Sequence, residues 1–154
     1  MTWVKKKILV AVKAYPEKSK KHGTTVCTAG ITDDGDWIRL YPMPYSSFLG
    51  TNKIHRYDWI EVECKKVTDE KLNRKESYRV RDGSVRIIDR SLSKGKIQGK
   101  VPWAERNAII LPKLDPSLEY LEEKYRKDKT SLGLIKPVDV MDFFTREELL
   151  QPPE

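Results

Sequence analysis

Apolar and charged residues alternate most cleanly at Trp59-Ile60-Glu61-Val62-Glu63-Cys64, where a period of two marks a half-buried strand. Residues 8–14 are aliphatic and β-branched and stop at Tyr15-Pro16, the pattern of a buried strand. Residues 26–31 and 37–41 make two more strands. Asp33-Asp34-Gly35-Asp36 between them is a turn, so the pair reads as a β-hairpin. Pro42 and Pro44 stop the second arm, because neither can donate to a sheet ladder. Residues 45–49, closed by Gly50, have room for one helical turn. Residues 78–80 and 85–88 flank Asp82-Gly83 and predict a second hairpin.

The polar stretches at 17–23 and 71–76 read as loops. Residues 91–100, with Gly95 and Gly99 among three lysines, read as a mobile loop or a linker between subdomains. Residues 103–111 fit a short helix or a strand. Asp115-Pro116 opens a helix, with Asp as N-cap and Pro at the first helical position, and Leu118, Leu121 and Tyr125 follow along one side. Residues 131–135 and 138–144 read as strands broken by Pro137. Thr145-Arg146-Glu147-Glu148 has the spacing of a capping box and starts a terminal helix. Six to eight short strands against two or three short helices make a mainly β fold with minor α, built as one or two small antiparallel barrels.

Length and charge narrow the function classes. A chain of 154 residues suits one compact unit, or two very small subdomains that part near 91–102. Residues 1–100 hold 22 Lys and Arg against 12 Asp and Glu, while residues 101–154 hold 8 against 11. A net of +10 followed by −3 predicts one basic region, for which nucleic acid is the commonest polyanionic partner. The apolar run near the N-terminus is too short for a signal-peptide core, and no stretch approaches a membrane span, so a soluble, cytoplasmic protein is expected. Two cysteines and two histidines are too few and too scattered for a structural zinc site. Cys27 and Cys64 read as free buried thiols, and no cofactor or metal is expected.

One stretch resembles a known family. Lys21-His22-Gly23, then Val26-Cys27-Thr28-Ala29-Gly30-Ile31, a Gly turn and Trp37-Ile38-Arg39-Leu40 are similar to the start of the dual OB-containing domain, a family of uncharacterised bacterial and archaeal proteins. Ser131-Leu132-Gly133-Leu134-Ile135-Lys136-Pro137 resembles its closing strand. Tyr57-Asp58-Trp59-Ile60 and Arg74-Lys75-Glu76-Ser77-Tyr78 have a similar cast. The resemblance covers about a third of the chain, as strand patterns without a catalytic signature. It implies OB-like barrels, and OB folds as a class bind oligonucleotides or oligosaccharides across one sheet face.

Three readings of the chemistry follow. In the first, the chain binds nucleic acid, with single-stranded DNA or RNA favoured. Trp37, Arg39 and Tyr41 alternate onto one face of a strand, opposite Ile38 and Leu40, and would offer bases a stacking surface with its own cation. The competing reading buries Trp37 and Tyr41 and pairs Arg39 with an acid. Lys18, Lys20, Lys21, Lys65, Lys66, Lys94, Lys96 and Lys100 would meet phosphates, or serve only solubility. In the second reading, Glu61, Glu63 and Lys65 share a strand face whose Glu-x-Lys part resembles the metal-binding half of restriction-type nucleases, with Asp33, Asp34, Asp36 or Asp58 as the partner acid. The plainer account of those charges is a solvent face. Cys27 or Cys64 with His22 or His55 could pair for nucleophilic catalysis, but nothing supplies an oxyanion hole. No Gly-rich phosphate loop is present. In the third reading the acidic helix around Glu119, Glu122 and Glu123 docks on a protein partner, while its apolar stripe packs on the barrel. The first reading, without catalysis, accounts best for the basic half.

Overall fold

The computed structural model describes residues 2–14, 16–20, 23–69, 74–95 and 99–141. The strands are β1 (Val4–Lys13), β2 (Glu17–Ser19), β3 (Gly23–Thr32), β4 (Trp37–Pro44), β5 (Trp59–Lys66), β6 (Ser77–Val80) and β7 (Arg86–Asp89). The helices are α1 (Trp103–Ile110) and α2 (Leu118–Asp128). Strand β1 is long enough to serve two neighbours. Its first half pairs with β5, from Val4↔Cys64 to Leu9↔Trp59, and its second half with β3, from Ile8↔Thr32 to Lys13↔Thr28. The order β1-β3-β4-β6-β5 therefore returns to β1 and closes a five-stranded, OB-like barrel. Every pairing in it is antiparallel except β4 with β6, which is parallel.

Alternation fills this barrel as the sequence predicts. Ile8 and Val10 of β1, Ile38 and Leu40 of β4, and Ile60, Val62 and Cys64 of β5 are buried together, with Met43, Ile54 and Val80. Phe48, Tyr78, Val85 and Ile87 pack against them. The hairpin of β3 and β4 forms around its Asp33–Asp36 turn, and residues Tyr45–Phe48 make a single 3-10 turn. Cys64 is buried and Cys27 half-buried, and both are free.

The outer side carries a second layer. Leu9, Ala29 and Ile31 lie on the faces opposite Ile8, Gly30 and Ile38, yet they are only 0%, 3% and 1% exposed. The chain after β7 returns over this outer face, where Ser131 meets Arg39 of β4. Arg106 of α1 is buried, with its guanidinium 4.2 Å from the Tyr57 ring centre and 4.8 Å from that of Trp103. Its Nε donates to the Leu92 carbonyl at 2.7 Å, which fastens α1 to the segment behind β7.

Pro42 and Pro44 do not stop β4, which runs through both and pairs Pro44 with Thr25, and Glu17–Ser19 of the expected 17–23 loop form β2 on β3. Three further expectations are corrected, and one left open is decided. The second hairpin does not form, since β6 and β7 do not pair with each other. Cys64 pairs with Val80 of β6 and Ile60 with Ile87 of β7, so both strands run along one edge of β5, and Asp82-Gly83 is a turn within that run. Residues 103–111, left open by their pattern, are helical through Ile110. The N-cap of α2 is Ser117, whose Oγ accepts from Tyr120 N. Asp115 instead ties down the chain beyond α2, where its Oδ2 accepts from Leu134 N at 3.1 Å. That contact explains the last correction, because residues 131–135 make only a single bridge, Leu114↔Leu134, and residues 138–141 no strand. The expected helix at 145–148 and the end of the 138–144 stretch lie outside the described residues. Among the described residues, no helix is long and apolar enough to cross a membrane.

Candidate functional site

Cations gather at the end of the barrel where β1 and β4 finish and residues 45–58 cross to β5. Lys13, near the end of β1, donates from Nζ to the Ile54 carbonyl at 3.1 Å and lies 5.7 Å from the Phe48 ring centre. Burial lowers its pKa, and the nearby Arg56 and Lys53 lower it further, while Asp58 works the other way. Arg90 joins them, since its Nη2 donates to the Lys53 carbonyl at 3.1 Å and its Nε lies 3.9 Å from Asp58 Oδ2. Asp58 is 0% exposed. Its Oδ2 accepts from His55 N at 2.8 Å, and its Oδ1 has no hydrogen-bond partner among the described residues. One buried carboxylate thus stands among four cations. Beside them Lys13, Ala14, Pro16, Val26, Tyr45 and Phe48 line a cleft of about 300 Å³. Tyr41 and Tyr45 are exposed at this end of β4. The β2 hairpin on β3 carries the exposed Lys18 and Lys20, and Lys21 and Lys96 lie outside the described residues.

The Trp37–Arg39–Tyr41 row is directed outward as predicted, but it does not stand free. Arg39 donates to Cys27 Sγ at 3.1 Å and to Ser131 Oγ at 3.2 Å. Trp37 is half-buried, and its Nε1 has no partner among the described residues. Thr130 and Leu132 line a cavity of about 450 Å³ with Trp37, Glu76 and Tyr78. The Glu76 carboxylate, itself buried, holds the returning chain. Oε1 accepts from Ser131 N at 2.6 Å and Leu132 N at 2.7 Å, and Oε2 from Ser131 Oγ at 3.3 Å.

Two other predicted cations, Lys65 and Lys66, sit at the end of β5 far from Asp58. Lys66 Nζ donates to the carbonyls of Arg74, Lys75 and Ser77, and partial burial lowers its pKa, so it ties residues 74–77 to β5. Lys65 lies 4.6 Å from the centre of the Trp3 ring. Lys94 and Lys100 are exposed. Glu61 pairs with Lys5 at 3.7 Å and Glu63 with Arg81 at 2.9 Å, and no group of three or more His, Cys, Asp or Glu among the described residues could hold a metal. Exchanging Glu63 for Gln is therefore expected to leave the fold intact, and the natural chain with Mg²⁺ or Mn²⁺ to leave plasmid and RNA uncut. Metal-dependent cleavage that Glu63→Gln abolishes would restore the nuclease reading.

The model of a domain of unknown function, DUF8758, matches residues 4–112, a span that holds every barrel strand and α1. The chain belongs to the DUF8758 family. No curated protein and no solved structure matches it. The DUF8758 match contains the whole cation rim and ends before α2 and the segment that meets Arg39. Sequence reading missed Lys13, Lys53, Arg56 and Arg90, because each is a lone cation in its own stretch and only the barrel closure collects them. It missed Glu76 for the same reason, since its partners lie 55 and 56 residues away.

Proposed function

We propose that this DUF8758 chain is a nucleic-acid-binding module, favouring single strands of DNA or RNA, that works at the basic rim of its barrel. The observation that carries the reading is the gathering of Lys13, Lys53, Arg56 and Arg90 around one carboxylate, beside the aromatic cleft of Tyr45 and Phe48. Backbone phosphates need placed cations, and bases stack on exposed rings at about 1–3 kcal/mol each. Exposed Lys20 and Tyr41 add to the basic and aromatic surface. Lys94, whose amide donates to the Arg90 carbonyl, adds charge next to Arg90, while Lys65 and Lys66 are secondary. The strand order closes an OB-like barrel, and OB folds as a class bind oligonucleotides or oligosaccharides, which supports the reading by analogy.

Four cations on four phosphates give a single strand a salt slope near −3, so affinity should fall roughly fiftyfold between about 50 and 200 mM salt. Titrations of a labelled single strand, a duplex and heparin read this directly. Lys53→Glu with Arg56→Glu should cut the slope by about half or more, and Tyr45→Ala should weaken binding roughly tenfold through lost stacking. A flat salt response, or heparin bound as well as either nucleic acid, would reduce the rim to generic charge.

A second reading has its own support. The stripe of α2 is not packed as expected: Leu118 is 64% and Tyr125 51% exposed. These residues line an open cavity of about 460 Å³ with Leu121 and Leu132, which suits a protein-interaction accessory subunit.

A further inference from the structure

The outer face of β3 and β4 is occupied by the chain's own residues 128–134. We propose that this segment is a latch, releasable from the face and held by the Glu76 carboxylate, so that latch and single-stranded nucleic acid compete for the same surface. The ligand in this statement rests on the nucleic-acid reading; the latch does not.

The contacts that hold the segment are polar and few. Glu76 accepts from the Ser131 and Leu132 amides and the Ser131 hydroxyl. Arg39 donates to Ser131, Lys75 Nζ pairs with Asp128 at 2.9 Å, and Lys75 N donates to the Lys129 carbonyl. Apolar burial adds little: α2 has no buried residue, and cavities of about 450 and 460 Å³ lie on two sides of residues 130–132. A segment with few buried apolar contacts opens at a lower free energy than the core of its domain. Opening returns the charged groups of Glu76 and Arg39 to water, so each bond holds the segment only by the part that solvent does not replace, and Glu76, with three of them, holds it most. Trp37 gains, because its buried Nε1 has no acceptor among the described residues while the segment is in place. What opening uncovers is the part of β4 that carries Trp37 and Arg39.

The two thiols supply a readout that needs no ligand. Cys27 Sγ accepts from Arg39, whose other nitrogen holds Ser131, so it lies beneath the latch. Cys64 faces the barrel interior, and burial pushes its thiol up to about 11, which makes it an internal control. Thiol labelling of the full chain should find Cys27 slow and Cys64 inert. Glu76→Ala should raise the Cys27 rate about tenfold or more, in proportion to the open fraction, with Cys64 still inert. Leu132→Pro, which removes an amide donor from the latch side and leaves the barrel untouched, should do the same.

An unchanged Cys27 rate in both variants would overturn the latch. So would reaction of Cys64 in both, since residues 128–134 would then be part of the barrel's own stability. Affinity for a labelled oligothymidylate should rise about tenfold in the same variants, because a blocked face multiplies affinity by its open fraction. A faster Cys27 with unchanged oligonucleotide affinity would keep the latch and remove nucleic acid from this face.

Discussion

Replacing Gly30 by alanine is expected to cost the barrel about 3 kcal/mol or more. Gly30 pairs with Val10 of β1 and Ile38 of β4, in the middle of the ladder that closes the barrel. A β-carbon there would collide with the carbonyl oxygen of Leu9 and come within 2.7 Å of Ile8 Cγ2. The carbonyl is backbone in a paired strand, so no side-chain rotation relieves it. The strands would have to part beside Ile8 and Val10, which are both fully buried. Urea unfolding monitored by tryptophan fluorescence measures the effect. A loss below about 1 kcal/mol would mean that β1 and β3 are not in close contact at this register.

Local patterns revealed most of the strands. The alternation of Trp59–Cys64, the Asp33–Asp36 turn and the buried run in β1 each depend on residues within a few positions, where periodicity and turn chemistry act. Errors arose where a distant partner decided the outcome. Tyr78–Val80 and Val85–Ile88 look like hairpin arms until β5 takes both on one edge. Asp115-Pro116 has the chemistry of a helix start, but the Leu134 amide captures the carboxylate and the helix begins at Leu118, behind Ser117. Trp37, Arg39 and Tyr41 share a face by alternation, as predicted. That Ser131 would lie on Arg39 depended on a contact 92 residues long, which no local spacing encodes. The cation rim was hidden for a related reason. Charge counting found the basic half of the chain, but Lys13, Lys53, Arg56 and Arg90 belong to one surface only because β1, the crossing at 45–58 and the end of β7 converge there.

Asp58→Ala should destabilise the chain by about 2–3 kcal/mol, and the loss should depend on the anions present. The side chain is completely buried, so its removal leaves the His55 amide without its acceptor. It also leaves Lys13, Lys53, Arg56 and Arg90 without the one carboxylate among them. The lower end of the range for broken buried pairs is expected, because Arg90 is 3.9 Å away and its side chain a third exposed. Asp58→Asn keeps an acceptor for His55 and removes only the charge, so it should cost about half as much. It should also change the pH dependence. The Lys13 pKa is lowered in the folded chain, chiefly by burial, so between that value and 10.5 the unfolded chain binds more protons and stability rises with pH. Asp58 is the group that raises this pKa, so Asp58→Asn should extend the rise to lower pH. Added sulfate or inorganic polyphosphate should then restore stability to either variant more than to the natural chain, since an anion bound only by the folded state stabilises it. Thermal melts with and without these anions decide the matter. Equal gains in all three proteins would mean that the four cations do not act as one anion site, and the rim would lose its claim on phosphate.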